Sequence, residues 1–171
     1  ECEHLLRGLH LLYDMPMRLV VMSRNGGYAR ACNSGAEHAR ADLIAMLNSD
    51  VIPHQIGWLE LLASKMGGPQ EVAAVGPKLL FEDGSLQHAG MYFAKNERGQ
   101  WLNHHFYKGL PDQFPDANIE RSVPGITGAC MLLHRGAFDD VGGFTEDYVI
   151  GDYEDSDLCL KIRKADFDIK Y

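Results

Sequence analysis

Short apolar runs alternate with helix-period segments along this chain, and that alternation confines it to a layered α/β fold. Leu43-Ile44-Ala45-Met46-Leu47 is too short for a helix and too apolar for a surface loop. Arg18-Leu19-Val20-Val21-Met22, Val72-Ala73-Ala74-Val75-Gly76 and Gly128-Ala129-Cys130-Met131-Leu132-Leu133 read the same way. Each is expected to form a buried strand. Between them, apolar residues recur at helical spacing: Leu5, Leu6, Leu9 and Leu12; Ala29, Cys32, Ala36 and Ala39; Ile56, Leu59, Leu62 and Met66. The small side chains of the second set allow that helix to sit close to a sheet. Pro16, Asn25-Gly26-Gly27 and Gly67-Gly68-Pro69 punctuate the series. The expected fold class is α/β, with a central, mainly parallel sheet flanked by helices.

A chain of 171 residues is expected to form one compact domain with its own core. Its net charge of −8 advertises no basic surface, so nucleic acid is not an expected partner. A phosphate ligand would need a metal, a helix N-terminus or a few local cations. Cys2, Cys32, Cys130 and Cys159 form no CxxC pair and read as reduced thiols, which fits a cytoplasmic location. No apolar run reaches membrane-spanning length. The chain opens inside a helical pattern without Met and ends on Phe167-Asp168-Ile169-Lys170-Tyr171, a strand beginning. A fragment of a longer protein is therefore expected.

Residues 78–122 lose the pattern. Glu82-Asp83-Gly84-Ser85 is a turn signal, and residues 96–121 read as a long polar and aromatic loop. A final helix is expected from Asp155 to about Ala165.

Two acidic motifs carry chemistry. Asn48-Ser49-Asp50 follows the apolar run at 43–47, where the carboxyl end of a strand meets a ligand crevice in open α/β sheets. A hard divalent cation there takes carboxylate oxygens together with the phosphate oxygens of a ligand. The same triplet also serves as an ordinary turn and cap before Pro53. Asp152, Glu154, Asp155 and Asp157 crowd the start of the last helix, where backbone N–H groups and the helix dipole favour negative charge. Capping alone accounts for acidic residues there, but helical geometry separates them. At ~100° per residue, Asp155 shares the stripe of Leu158, Cys159 and Ile162 and so faces inward. Asp157 pairs instead with Lys161 four residues on. An inward carboxylate is costly unless it is hydrogen-bonded or solvated by a site. Asp155 is the candidate general base.

With those residues in place, the chain resembles a family 2 glycosyltransferase of the Rossmann-like GT-A fold. The motifs are Asn25-Gly26-Gly27-Tyr28-Ala29, Asn33, residues 41–50, Gly128-Ala129-Cys130-Met131-Leu132, Val141-Gly142-Gly143-Phe144 and Tyr153-Glu154-Asp155-Ser156-Asp157-Leu158. Their order and spacing match along nearly the whole chain. The resemblance implies inverting transfer from a nucleoside-diphosphate sugar to a glycan or lipid-linked acceptor, in cell-surface polysaccharide synthesis. Asp50 would hold Mg²⁺ or Mn²⁺ on the diphosphate, with Asn48 where some members carry a first Asp and Ser49 between them. Asn25, Gly26 and Gly27 would lie near the nucleotide. Gly128 and Ala129 would line the sugar pocket, and Glu154 would bind acceptor beside Asp155. Residues 96–121 would cover the acceptor side. Relative to the family, the first nucleotide-binding strand and the C-terminal part would lie outside this catalytic domain. The parent protein would work at the inner face of the membrane. A sugar-nucleotide nucleotidyltransferase would want a glycine-rich basic loop near the start, which is not visible, and a non-catalytic domain keeping the fold is the other alternative.

Several residues are read as structural or surface groups: His104 and His105, His88, His54, Trp58, Trp101, Arg121 and Arg135.

Overall fold

The computed structural model describes residues 2–14, 16–68, 71–148 and 153–171. Pro69, Asp152 and the side chain of Cys2 lie outside the described residues. In chain order the elements begin with helix α1 (Cys2–Tyr13), helix α2 (Gly27–His38), strand β1 (Leu43–Leu47), helix α3 (Trp58–Lys65) and strand β2 (Val72–Val75). Four short strands follow: β3 (Leu79–Leu80), β4 (Leu86–His88), β5 (Met91–Lys95) and β6 (Trp101–His105). Strand β7 (Cys130–His134), helix α4 (Arg135–Asp140), helix α5 (Glu154–Lys164) and strand β8 (Asp168–Lys170) complete it.

The central sheet runs β1-β7-β2-β8. Strands β1, β2 and β8 share one direction, but β7 enters between β1 and β2 in the opposite one. The sheet is therefore mixed, and β2–β8 is its parallel pairing; this corrects the expectation of a mainly parallel sheet. The reason lies in the connection. A helical crossover returns a strand parallel to its predecessor, whereas β7 is reached through residues 76–129, which form hairpins instead. The register sets Leu47 opposite Cys130 and Leu43 opposite His134.

Helices cover both faces of this sheet. On one, Ala29 and Ala36 of α2 pack with Ile44, Met46, Leu133, Phe138, Leu158 and Ile162. Alanine at both α2 positions keeps that helix close to the strands. On the other, Leu62 of α3 packs on Val72, Val75, Cys130 and Leu132. Every residue of β2 is buried, as a central strand between two layers must be.

Two expectations fail. Residues 18–22 form no strand, and Leu19, Val20 and Val21 are exposed. A strand exists only by pairing, and this run has no sheet partner among the described residues. Residues 96–121 are not a plain loop, because β6 pairs antiparallel with β5, from Met91 opposite His105 to Lys95 opposite Trp101. β6 shows no clean alternation, because Trp101 is exposed and residues 102–105 are all half-buried.

Candidate active site

The Gly128 region, just before β7, is where the motifs meet. The backbone N–H of Asn48 donates to the carbonyl of Ala129 at 2.9 Å, which ties the end of β1 to the start of β7. The N–H of Gly128 donates to Asp155 Oδ2 at 2.9 Å. The Tyr28 hydroxyl donates to the Gly128 carbonyl at 2.7 Å. Three distant segments thus converge on two small residues. A Cβ on Gly128 would stand 2.6 Å from the Tyr28 hydroxyl and 3.3 Å from Asp155 Cβ. Glycine is needed here for the approach of protein groups, independent of any ligand.

Asn25 Oδ1 accepts from the N–H of Gly27 at 3.0 Å, an Asx turn that launches α2. Gly27 has φ of +81°, a conformation that favours glycine. Asn25 and Gly27 are exposed and Gly26 half-buried, one to three residues before Tyr28. Asn48 is half-buried, and Ser49 and Asp50 are exposed in the turn after β1.

Asp155 sits in the first turn of α5, on the wall of a cleft of about 560 Å³. Tyr92, Asn103, His104 and His105 from the β5–β6 hairpin form the facing wall, with Lys108, Thr127 and Tyr153. Burial raises the proton affinity of Asp155 above that of an ordinary carboxylate. Hydrogen bonds from Gly128, Ser156 and Thr127 oppose that rise without cancelling it. The helical stripe placed Asp155 correctly beside buried Leu158, Cys159 and Ile162. Glu154 is 7% exposed and does not line the cleft. Its charge instead acts on Tyr28 and Cys32 of α2. Asp157 pairs with Lys161 at 3.5 Å, as the spacing indicated, and accepts from the Thr145 hydroxyl at 2.6 Å.

The two histidines read as surface groups belong to the cleft. His105 Nδ1 lies 2.9 Å from Nδ1 of His88. His88 is fully buried, and its Nε2 accepts from the N–H groups of Gly90 at 3.2 Å and Thr127 at 3.4 Å. Burial and the neighbouring His105 push the His88 pKa down to about 3, so it is neutral at physiological pH. His105 is lowered as well, by burial and by Lys108. Only their distance in sequence concealed the pair. Arg121, read as a structural or surface group, packs on aromatics: its guanidinium lies over the rings of Phe106, Tyr107 and Tyr171, 5.0–5.4 Å from their centroids. It also donates to the carbonyls of Ala89, Asp116 and Ile119.

Among the described residues, no three His, Cys, Asp or Glu side chains gather into a metal cage. Asp50 offers one exposed carboxylate at a strand end. That fits a hard cation held mainly by ligand phosphates and water, as Mg²⁺ often is, and does not fit a structural metal.

The model of the glycosyl transferase family 2 matches residues 1–142. This chain belongs to that family. It is 34% identical over 128 residues to the O-antigen biosynthesis protein RfbC of Myxococcus xanthus, covering 72% of this chain and 10% of that protein. Among solved structures, it aligns with the mannosyltransferase PcManGT from Pyrobaculum calidifontis, in complex with GDP-Man and Mn²⁺, at a TM-score of 0.65. Identity there is 18%, over 98% of this chain and 40% of the other. GalNAc-T7 with UDP, GalNAc and Mn²⁺ aligns at a TM-score of 0.62 and 17% identity, over 98% of this chain and 34% of the other. At such identities the likeness is one of fold, and the fold is GT-A. This family 2 chain spans only 17% and 10% of the length of two curated relatives that it matches. No helix among its described residues is long and apolar enough to cross a membrane.

Proposed function

We propose that this chain is the nucleotide-sugar-binding part of a catalytic domain that transfers a sugar, with inversion, from a nucleoside diphosphate to an acceptor hydroxyl. The observation that carries the reading is Asp155: a carboxylate of raised proton affinity, oriented by the Gly128 N–H, on the wall of a polar cleft. That is the state a general base needs. Asp155 takes the proton of the acceptor hydroxyl as its oxygen bonds to the anomeric carbon. The bond from that carbon to the diphosphate oxygen breaks on the opposite face, which inverts the centre.

Asp50 and its neighbours Asn48 and Ser49 face the donor diphosphate in this reading. Asp50 would hold a divalent cation, which would supply positive charge at the diphosphate. Asn25, Gly26 and Gly27 border the nucleotide, and Gly128 and Ala129 the sugar. The β5–β6 hairpin forms the acceptor wall. The likeness to an O-antigen biosynthesis protein supports a glycan or lipid-linked acceptor in cell-surface polysaccharide synthesis. Free Cys32, Cys130 and Cys159 fit a reducing, cytoplasmic setting.

Calorimetric titration with GDP, UDP, dTDP and ADP, with and without Mn²⁺, tests the donor site. One nucleotide should bind in a metal-dependent way, and Asp50→Ala should lose it. In the parent protein, Asp155→Asn should lower transfer ~10²–10⁴-fold while leaving donor binding intact. Transfer that survives this change removes Asp155 as the base. A parent protein that binds no nucleotide is a non-catalytic relative.

A further inference from the structure

We propose that Asn103 is a positioning residue for Asp155 and acts through the Ser156 hydroxyl. The inference rests on the reading of Asp155 as the base.

Asn103 lies on β6, more than fifty residues before the acidic motif, and its Nδ2 donates to Ser156 Oγ at 2.9 Å. Ser156 Oγ in turn lies 3.3 Å from Asp155 Oδ1 and donates to it. The backbone N–H of Ser156 donates to the same oxygen at 2.6 Å. Asp155 Oδ2 is held separately by Gly128. A serine hydroxyl carries one hydrogen and accepts through its lone pairs. The amide of Asn103 occupies an accepting side, which leaves the hydrogen aimed at Asp155. Ser156 is 4% exposed, so water does not compete for that hydroxyl. Without Asn103, the hydroxyl is released to turn toward main-chain carbonyls of the helix start, the habitual alternative for serine. Asp155 then loses a hydrogen bond that favours its charged form.

The geometry of the hairpin explains why this residue is in reach. Asn103 and His105 stand two apart on one strand and share a face, and that face lies against the start of α5. The groups facing Asp155 are therefore His105 from β6, Tyr28 from α2, and Cys159 from its own helix. Thr127, Lys108 and Tyr153 share the cleft with it. Ser156 Oγ is bonded to Asn103 on one side and to Asp155 on the other. The hairpin thus does two jobs: it walls the acceptor side, and it sets the orientation of the base.

The test is a ¹³C titration of the Asp155 carboxyl in the full chain, identified by its loss in Asp155→Asn. Asn103→Ala should raise the midpoint by about half a unit and Ser156→Ala by about one. In the Ser156→Ala background, Asn103→Ala should add nothing, because a residue acting through another is non-additive with it. Asn103→Leu, closer in volume, replaces the alanine variant if that variant does not fold. An unchanged midpoint overturns the inference, and so does an undiminished Asn103 effect without the Ser156 hydroxyl. In the parent protein, Asn103→Ala should lower kcat with donor KM unchanged. The titration needs no turnover. Failure of the transferase reading, seen as transfer surviving Asp155→Asn, is thus distinguishable from failure of the Asn103 link.

Discussion

Asp155 combines two demands at the scale of one residue. As the proposed base, it must be buried enough to hold a proton and bonded enough to release it. Its proton affinity lies above the ordinary value of 3.8 because burial outweighs its hydrogen bonds. Transfer by a base requires the deprotonated form, so turnover should rise with pH through a midpoint above that value. The stability consequence has the opposite sense. The folded chain binds this proton more tightly than the unfolded chain, so stability falls as pH rises from 3.8 through the higher folded pKa, and the loss persists above it. Thermal unfolding across that acid window should show the decline in the wild type, and Asp155→Asn should flatten it. Gly128 makes a second prediction. Its missing Cβ leaves room for the Tyr28 hydroxyl and Asp155, so Gly128→Ala should destabilise by ~1–3 kcal/mol in urea unfolding. Gly136→Ala, in α4 with no atom within 4 Å of the added Cβ, should do no harm. The inward position of Asp155 was readable from helical periodicity; the burial of neighbouring Glu154, 7% exposed, was not. The crowding around Gly128 was not, because Tyr28 lies 100 residues away from it in the chain.

At the scale of elements, the turn after α4 is locked from two sides. Asn33 of α2 receives the Phe144 N–H at 2.9 Å and donates to the Phe144 carbonyl at 2.9 Å. Lys161 of α5 donates to the Gly143 carbonyl at 2.5 Å and to the Thr145 hydroxyl at 3.1 Å. Asn33 and the Gly142-Gly143-Phe144 motif therefore belong together as a structural clamp. Gly143 is required by its φ of +64° and by Asn33 Oδ1, 2.8 Å from where a Cβ would stand. Asn33→Ala should cost ~1–3 kcal/mol, since it leaves backbone groups of buried Phe144 unpaired. The shift of the chemical unfolding midpoint, at unchanged m-value, measures it. The strands and helices with a clear period were visible in sequence: β1, β2, β7, α2 and α5 lie where apolar spacing put them, whereas α3 spans only Trp58–Lys65 and leaves Ile56 and Met66 outside it, with Ile56 and Leu59 exposed. The β5–β6 hairpin was not visible. Its partners are each other, and the exposed Lys95–Trp101 pair at its end, together with half-buried polar Asn103, His104 and His105, leaves no clear period of two.

Across the whole molecule, stability is unevenly distributed. Helix α1 has its period of leucines, yet Leu5, Leu11 and Leu12 are exposed, as is the apolar run after it. Amides of residues 2–14 and 17–22 should exchange within the fastest class, while those of β2 and β7 should exchange only through global unfolding. Hydrogen-exchange mass spectrometry compares them directly, and protection of residues 18–22 equal to that of β7 would contradict this distribution. What the sequence determined by itself was local. Periodicity named most helices and strands, and the order of small motifs named the family. The inward stripe of α5 selected one carboxylate among several. Only the tertiary structure decided the rest: the antiparallel entry of β7, the mixed sheet, the cleft wall supplied by the hairpin, and the His88–His105 and Asn103–Ser156 contacts. The physical reason is range. Side-chain periodicity reports which face of an element is apolar, whereas strand direction and long-range hydrogen bonds depend on how the connections between elements travel through space.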